Sequence, residues 1–207
     1  MTAQAEAPVV RQLGSPAALA VADLAASLED MQTVLRCCER LLAEVGSAPH
    51  LRDELAVEAL WTTALLSYAR CFDPGPRGTG LTAADISEGS GLKGDLAGWH
   101  AVLLELGRHY GSTTTNPRES FLVGVAQDAS GAPAGIAVTG SRTALVDELT
   151  VRQTGAVAYA LSTLLEQRIT AQQELAFAGL DAMSAGDLQT LPLLDVAVPA
   201  ATNGSPP

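Results

Sequence analysis

Aromatic residues make up 4% of this 207-residue chain, cysteine occurs three times, and Lys93 is the only lysine among twelve basic residues. Each shortage excludes something. With so few aromatics, alanine and leucine must fill most of the core, which favours closely packed helices over a sheet sandwich. Cys37, Cys38 and Cys71 fit no disulfide framework, because their number is odd and two of them are neighbours. No C-x-x-C occurs, and His50, His100 and His109 share no metal-ligand spacing with the cysteines. The expectation is therefore buried thiols acting as small hydrophobes, with no cofactor. A net charge of −11 argues against a broad electrostatic grip on nucleic acid, which needs clustered cations. Any anion site would be built from arginine, the better bidentate partner for phosphate. No run of about 18 apolar residues appears, and "MTAQAEAPVVRQLGSP" shows no charged-then-apolar leader pattern. A soluble, cytoplasmic protein with no membrane role is the expectation.

What is present reads as helix. The length favours one domain with a real core. After a loose tail over 1–14, Ser15 and Pro16 supply an N-cap and a first helical residue, and the segment closes at Gly46. Leu24, Leu28, Met31, Leu35, Cys38, Leu42 and Val45 alternate by four and three, a seam suited to lengthwise packing on another helix. A second helix, "LRDELAVEALWTTALLSYARCF", stops at the breaker-rich "DPGPRGTG". A short turn, "TAADISEG", leads to a helix over 92–110 with Leu92, Leu96, Trp99, Leu103, Leu106 and Tyr110 on one stripe. The period then changes. "ESFLVGVAQD" and "GIAVTGS" predict a β-hairpin at about 119–141, joined by "ASGAPA". The longest helical pattern runs from Thr143 to about Met183, with Gly155 and Gly179 as weak points. Residues 184–207 show no helical period and read as a second tail. The fold class is mainly α: a four-to-five-helix bundle with one inserted hairpin and a long C-terminal helix, over 15–183. Two long helices and the seam of the first predict a homodimer with a helical interface.

The segments "LWTTALLSYARCF" (60–72) and "WHAVLLELGRHYGSTTTN" (99–116) resemble HEPN-type helical bundles. The likeness covers roughly 50–120 and is carried by Tyr68, Ala69, Arg70 and Phe72, by the helix leading from His100, and by Asn116 after the turn. It implies a dimeric, metal-independent ribonuclease, often a toxin or defence factor. In such proteins an arginine and a histidine four to six residues apart meet at the scissile phosphate, the guanidinium neutralising charge and the imidazole moving the proton. This chain departs from that pattern. Alignment puts Gly107 at the arginine position and Thr113 at the histidine position, and no arginine precedes a histidine by four to six residues anywhere. Arg108 and His109 are adjacent, so on a helix their side chains diverge by about 100°, and threonine cannot replace imidazole near neutral pH. A non-catalytic binding or regulatory protein follows, in a toxin–antitoxin, defence or RNA-related system. A structural or adaptor homodimer recruiting a protein, and a ribonuclease with a non-standard site, are the alternatives.

Arg70, Arg108, His109, Thr113 and Asn116 are the candidate binding residues, as the lining of the former cleft. Each also has a plain structural reading. Gly111 and Pro117 end a helix, Ser and Thr satisfy loop amides, and Arg70 suits a helix C-terminus. "SGLKGD" and "GPRGTG" read as loops, the latter lacking the ending of a phosphate-binding loop. Trp61 and Trp99 fall on apolar stripes and read as core. In the C-terminal tail, "LQTLPLLDVAVPA" (188–200) is an isolated apolar cluster, which suggests a docking segment. The hairpin edge is a receiving site within reach for it.

Overall fold

The computed structural model describes residues 9–195 apart from 74, 76–77, 90–93 and 115. It is mainly helical, with one two-stranded antiparallel hairpin and a long helix after it. Leu92, residues 196–207 and most of "SGLKGD", Lys93 included, lie outside the described residues.

Helix α1 (Pro16–Val45) begins where Ser15 accepts a bond from the Ala18 amide at 3.2 Å and proline fills the first turn. Its neighbours are α2 (Glu54–Phe72), capped by Asp53, and α4 (Glu148–Ala178), capped by Asp147. Helix α3 (Leu96–Tyr110) is capped by Asp95 and packs on α2. The seam of α1 lies inside the chain. Leu24, Met31 and Cys38 are buried, and Leu28, Leu35 and Leu42 pack against the same core. Ser27, Val34, Cys37 and Leu41 are buried too, which widens the seam into the broad stripe of a globular helix. α1 is sandwiched between α2 and α4, so both flanks of the stripe are covered by its own chain.

The α2–α3 crossing is close. A β-carbon built on Gly107 would lie 3.2 Å from that of Ala69 and 3.3 Å from the Leu65 carbonyl oxygen. Position 107 is thus a buried packing contact with no room for a long side chain. Between α2 and α3 the expected turn contains a single π-helical turn (Asp85–Gly89) that buries Ile86, with Leu81 buried just before it. Asp85 is buried there and pairs with Arg168 of α4. Burial alone would push its carboxyl up, but bonds from Arg168 and Thr82 outweigh this and hold it below the usual range.

Several boundaries differ from expectation. α2 starts at Glu54 and not at Leu51, and α3 at Leu96 and not at 92, because the Asp53 and Asp95 side chains cap those first turns, and the last long helix ends at Ala178. The last long helix starts at Glu148, because the Asp147 carboxylate takes the Thr150 amide at 2.8 Å and fixes the first turn there. Residues 184–195 are not structureless. Ser184 and Asp187 form a reciprocal capping box that starts α5 (Ala185–Thr190). Beyond it, Leu193 pairs with Arg11 in an antiparallel bridge, the Gln12 amide donates to the Pro192 carbonyl at 2.8 Å, and the Leu194 amide donates to the Val10 carbonyl. The described parts of the two segments read as tails therefore meet each other, and the hairpin edge receives neither. Their backbone groups found partners that residue periodicity does not encode.

The Gly107 contact gives a direct check. Gly107→Val is expected to destabilise the fold by about 1–3 kcal/mol through overpacking, read as a melting temperature lower by several degrees. Gly124→Ala, at a position where an added β-carbon meets nothing within 4 Å, is expected to change it little.

Candidate functional site

The five candidate residues are placed apart from one another in what they touch. Arg70, in the last turn of α2, does not bond its own carbonyls. Its Nε donates to both oxygens of Asp30 on α1, at 3.1 and 3.3 Å, and a terminal nitrogen donates to Ser67 at 2.9 Å. Arg108 is exposed and paired with Glu105 one turn back on α3. His109 is exposed, its ring edge-on to Tyr110 at 6.2 Å. Thr113 is an exposed loop residue. Asn116 works as a backbone brace, accepting the Arg118 amide at 3.0 Å and reaching Glu119 at 3.5 Å.

His100, by contrast, is buried. Its Nδ1 pairs with the Tyr68 hydroxyl at 2.9 Å, and its ring lies 4.3 Å from that of Phe72. The Tyr68, Phe72 and His100 triad welds α2 to α3. Burial lowers the His100 pKa and raises that of Tyr68, so both groups favour their neutral forms. Cys37 and Cys38 behave likewise. Burial, with a smaller contribution from Cys37, pushes Cys38 up to about 12, which disarms it as a nucleophile.

What the fold does assemble is a cleft of about 700 Å³ between the first half of α2, Tyr110 of α3, and the root of the hairpin. The hairpin consists of β1 (Glu119–Gln127) and β2 (Pro133–Arg142). Arg118 pairs with Glu58, while Arg142 pairs with Glu54 at 3.5 Å and with Glu119 across the ribbon at 3.2 Å. Trp61, Tyr110 and Leu145 give the cleft apolar walls. Arg52 also lines it. One terminal nitrogen of Arg52 donates to the Val45 carbonyl at 2.7 Å, while its Nε is buried without a hydrogen-bond partner. The sequence did carry a signal for this constellation: Arg118 and Arg142 bracket the apolar strands, and Glu54 and Glu58 stand one turn apart on α2.

From that root the ribbon stands clear of the helices. Every residue from Ser120 to Arg142 is exposed. The register pairs Val123 with Val138 and Val125 with Ile136, so these four and Phe121 share one face. The opposite face carries Ser120, Leu122, Gly124, Ala126, Ala137, Thr139 and Ser141. At the tip, Asp128 accepts bonds from the Ser130 amide at 2.8 Å and the Ala132 amide at 3.0 Å, and Gly131 takes φ +86°. That left-handed turn suits glycine.

Among the described residues no group of three or more His, Cys, Asp or Glu side chains is placed to hold a metal ion, and no helix is long and apolar enough to cross a membrane. No protein-family profile, curated protein or solved structure matches the chain.

The buried imidazole predicts a pH dependence. The unfolded chain takes up a proton as pH falls through about 6.5, the unperturbed value, while the buried ring resists. The stabilisation is fully present above that value and is lost as pH falls below it towards the lower folded pKa. Thermal melts between pH 7.5 and 5 are expected to show declining stability over this range, and His100→Gln to flatten the slope.

Proposed function

We propose that this chain is a non-catalytic binding protein of the HEPN-like helical type, cytoplasmic and working in a toxin–antitoxin, defence or RNA-related setting, with its β-ribbon as the docking element. The observation that carries this reading is the ribbon's apolar face. A two-stranded ribbon is at best marginally stable alone, yet this one holds Phe121, Val123, Val125, Ile136 and Val138 in water at 60–71% exposure. The Arg118–Glu58 and Arg142–Glu54 pairs orient its root on α2. A large exposed apolar patch with a polar surround is the mark of an interaction site.

The arrangement of the charged residues supports binding over phosphodiester chemistry. That chemistry needs a guanidinium and an imidazole at one phosphate. Gly107 fills the arginine's place in a tight crossing, Arg70 is engaged by Asp30, and Arg108 is engaged by Glu105.

Purified protein is expected to leave a long unstructured RNA intact in EDTA. Turnover abolished by His109→Ala would overturn the non-catalytic reading. A variant with Gly-Gly in place of residues 120–141 is expected to keep its far-ultraviolet helical signal and a melting temperature within about 4 °C. It should lose whatever association the full chain makes, and an association that survives would remove the ribbon's docking role.

A further inference from the structure

Resting on the reading of the ribbon as a docking element, we infer that its occupant is the same face of a second copy, so that two ribbons pack face to face in a two-fold dimer. Three observations select this occupant. The first is area. Phe121 carries about 150–250 Å², and a Val or Ile side chain roughly 60–120 Å². At 60–71% exposure the five residues hold on the order of 400 Å² per copy. Two such faces covering each other approach about 800 Å², the scale of a weak, concentration-dependent interface.

The second is charge. Between Glu119 and Arg142 the only ionisable side chain is Asp128, at the tip, in a chain of net charge −11. Between Ser120 and Ser141 no cation addresses nucleic acid or anionic lipid, and Arg142 at the root is paired with Glu54 and Glu119. Two copies of so acidic a protein repel unless they meet through a neutral surface held away from their bodies. The nine-residue β1 spans about 30 Å, well beyond a Debye length of about 8–10 Å. The ribbon is the described element that meets both conditions.

The third is shape. An isologous contact requires a patch that complements itself. Here Val123 and Val138 stand opposite each other at the centre of the face, with the Phe121 ring lying over Gly140 at one end and Ile136 towards the other. Phe121 fills the gap left by the glycine, so the face has no hole at its edge. Packing two such ribbons gives a small sandwich about 10 Å thick with a dry centre. Edge-to-edge pairing would leave all five side chains in water.

The native cysteines are buried, so one introduced cysteine is the only reactive thiol. Light scattering of the full chain at about 100 μM is expected to give twice the 21.3 kDa chain mass. Val123→Cys should cross-link to a covalent dimer on mild oxidation, and Ala137→Cys on the opposite face should not. The double variant Val123→Lys, Ile136→Lys should be monomeric with an unchanged helical signal, since neither side chain touches the bundle core. A monomeric full chain overturns the inference, as does equal cross-linking from both faces or a double variant that stays dimeric. A monomer that sediments with phosphatidylcholine vesicles through the ribbon also overturns it, while leaving the docking reading intact. Full-chain behaviour unchanged by the Gly-Gly replacement removes the docking reading itself.

Discussion

Burial of one broad stripe along α1 determines where the other helices can lie. Leu24, Met31, Val34, Cys38 and Leu41 are buried, and no single neighbour is wide enough to cover them. Two helices must flank α1, and α2 and α4 do so. Once α2 is seated, the Tyr68, Phe72 and His100 triad and the close approach at Gly107 fix α3 on its other side. α1 itself holds no aromatic residue and depends on close approach, as where a β-carbon at Gly155 of α4 would lie 3.5 Å from that of Cys38.

The arginines of this acidic chain bind the elements together. Arg70 reaches across to Asp30, and Arg168 to Asp85. In both, the carboxylate is largely buried, at 12% and 9% side-chain exposure. The cost of such a pair is met only with good hydrogen bonding, which the nearby Ser67 and Thr82 hydroxyls extend. Exposed pairs such as Arg36–Glu29 and Arg152–Glu148 add little stability. The pairs at the ribbon root set direction: they decide at what angle an otherwise unsupported ribbon leaves the body.

A structure so organised separates two tasks. The bundle supplies stability through a continuous core, and the ribbon, sharing none of that core, is free to present its side chains without weakening the fold. Unpaired strand edges invite unwanted pairing. Here β2 begins at Pro133 and the turn holds Asp128, both of which discourage extension at the tip.

The helices and the hairpin were legible along the chain because they follow from local periodicity. The starts capped by Asp53, Asp95 and Asp147 were misplaced, because an apolar period does not say where a side chain closes the first turn. The switch from a 3.6-residue period to alternation near Glu119, the Ser15-Pro16 start, and the Gly46 and Gly111 ends are all local. The pairing of residues 10–12 with 192–194 was not legible, because the backbone amides that make it are the same in every residue. Nor could the α1 seam reveal whether it met its own chain or another, since burial energy is non-directional and depends only on what covers the surface. The candidate site divides the same way. Composition pointed to arginine as the cation of any anion site, while tertiary structure decided what each arginine meets. Arg70 is engaged by Asp30 and Arg108 by Glu105, and at the ribbon root Arg118 is engaged by Glu58 and Arg142 by Glu54 and Glu119. The sequence by itself determined an acidic helical bundle carrying one neutral apolar hairpin. Only the folded chain decided that the hairpin stands exposed, because that depends on every helix already having its partner.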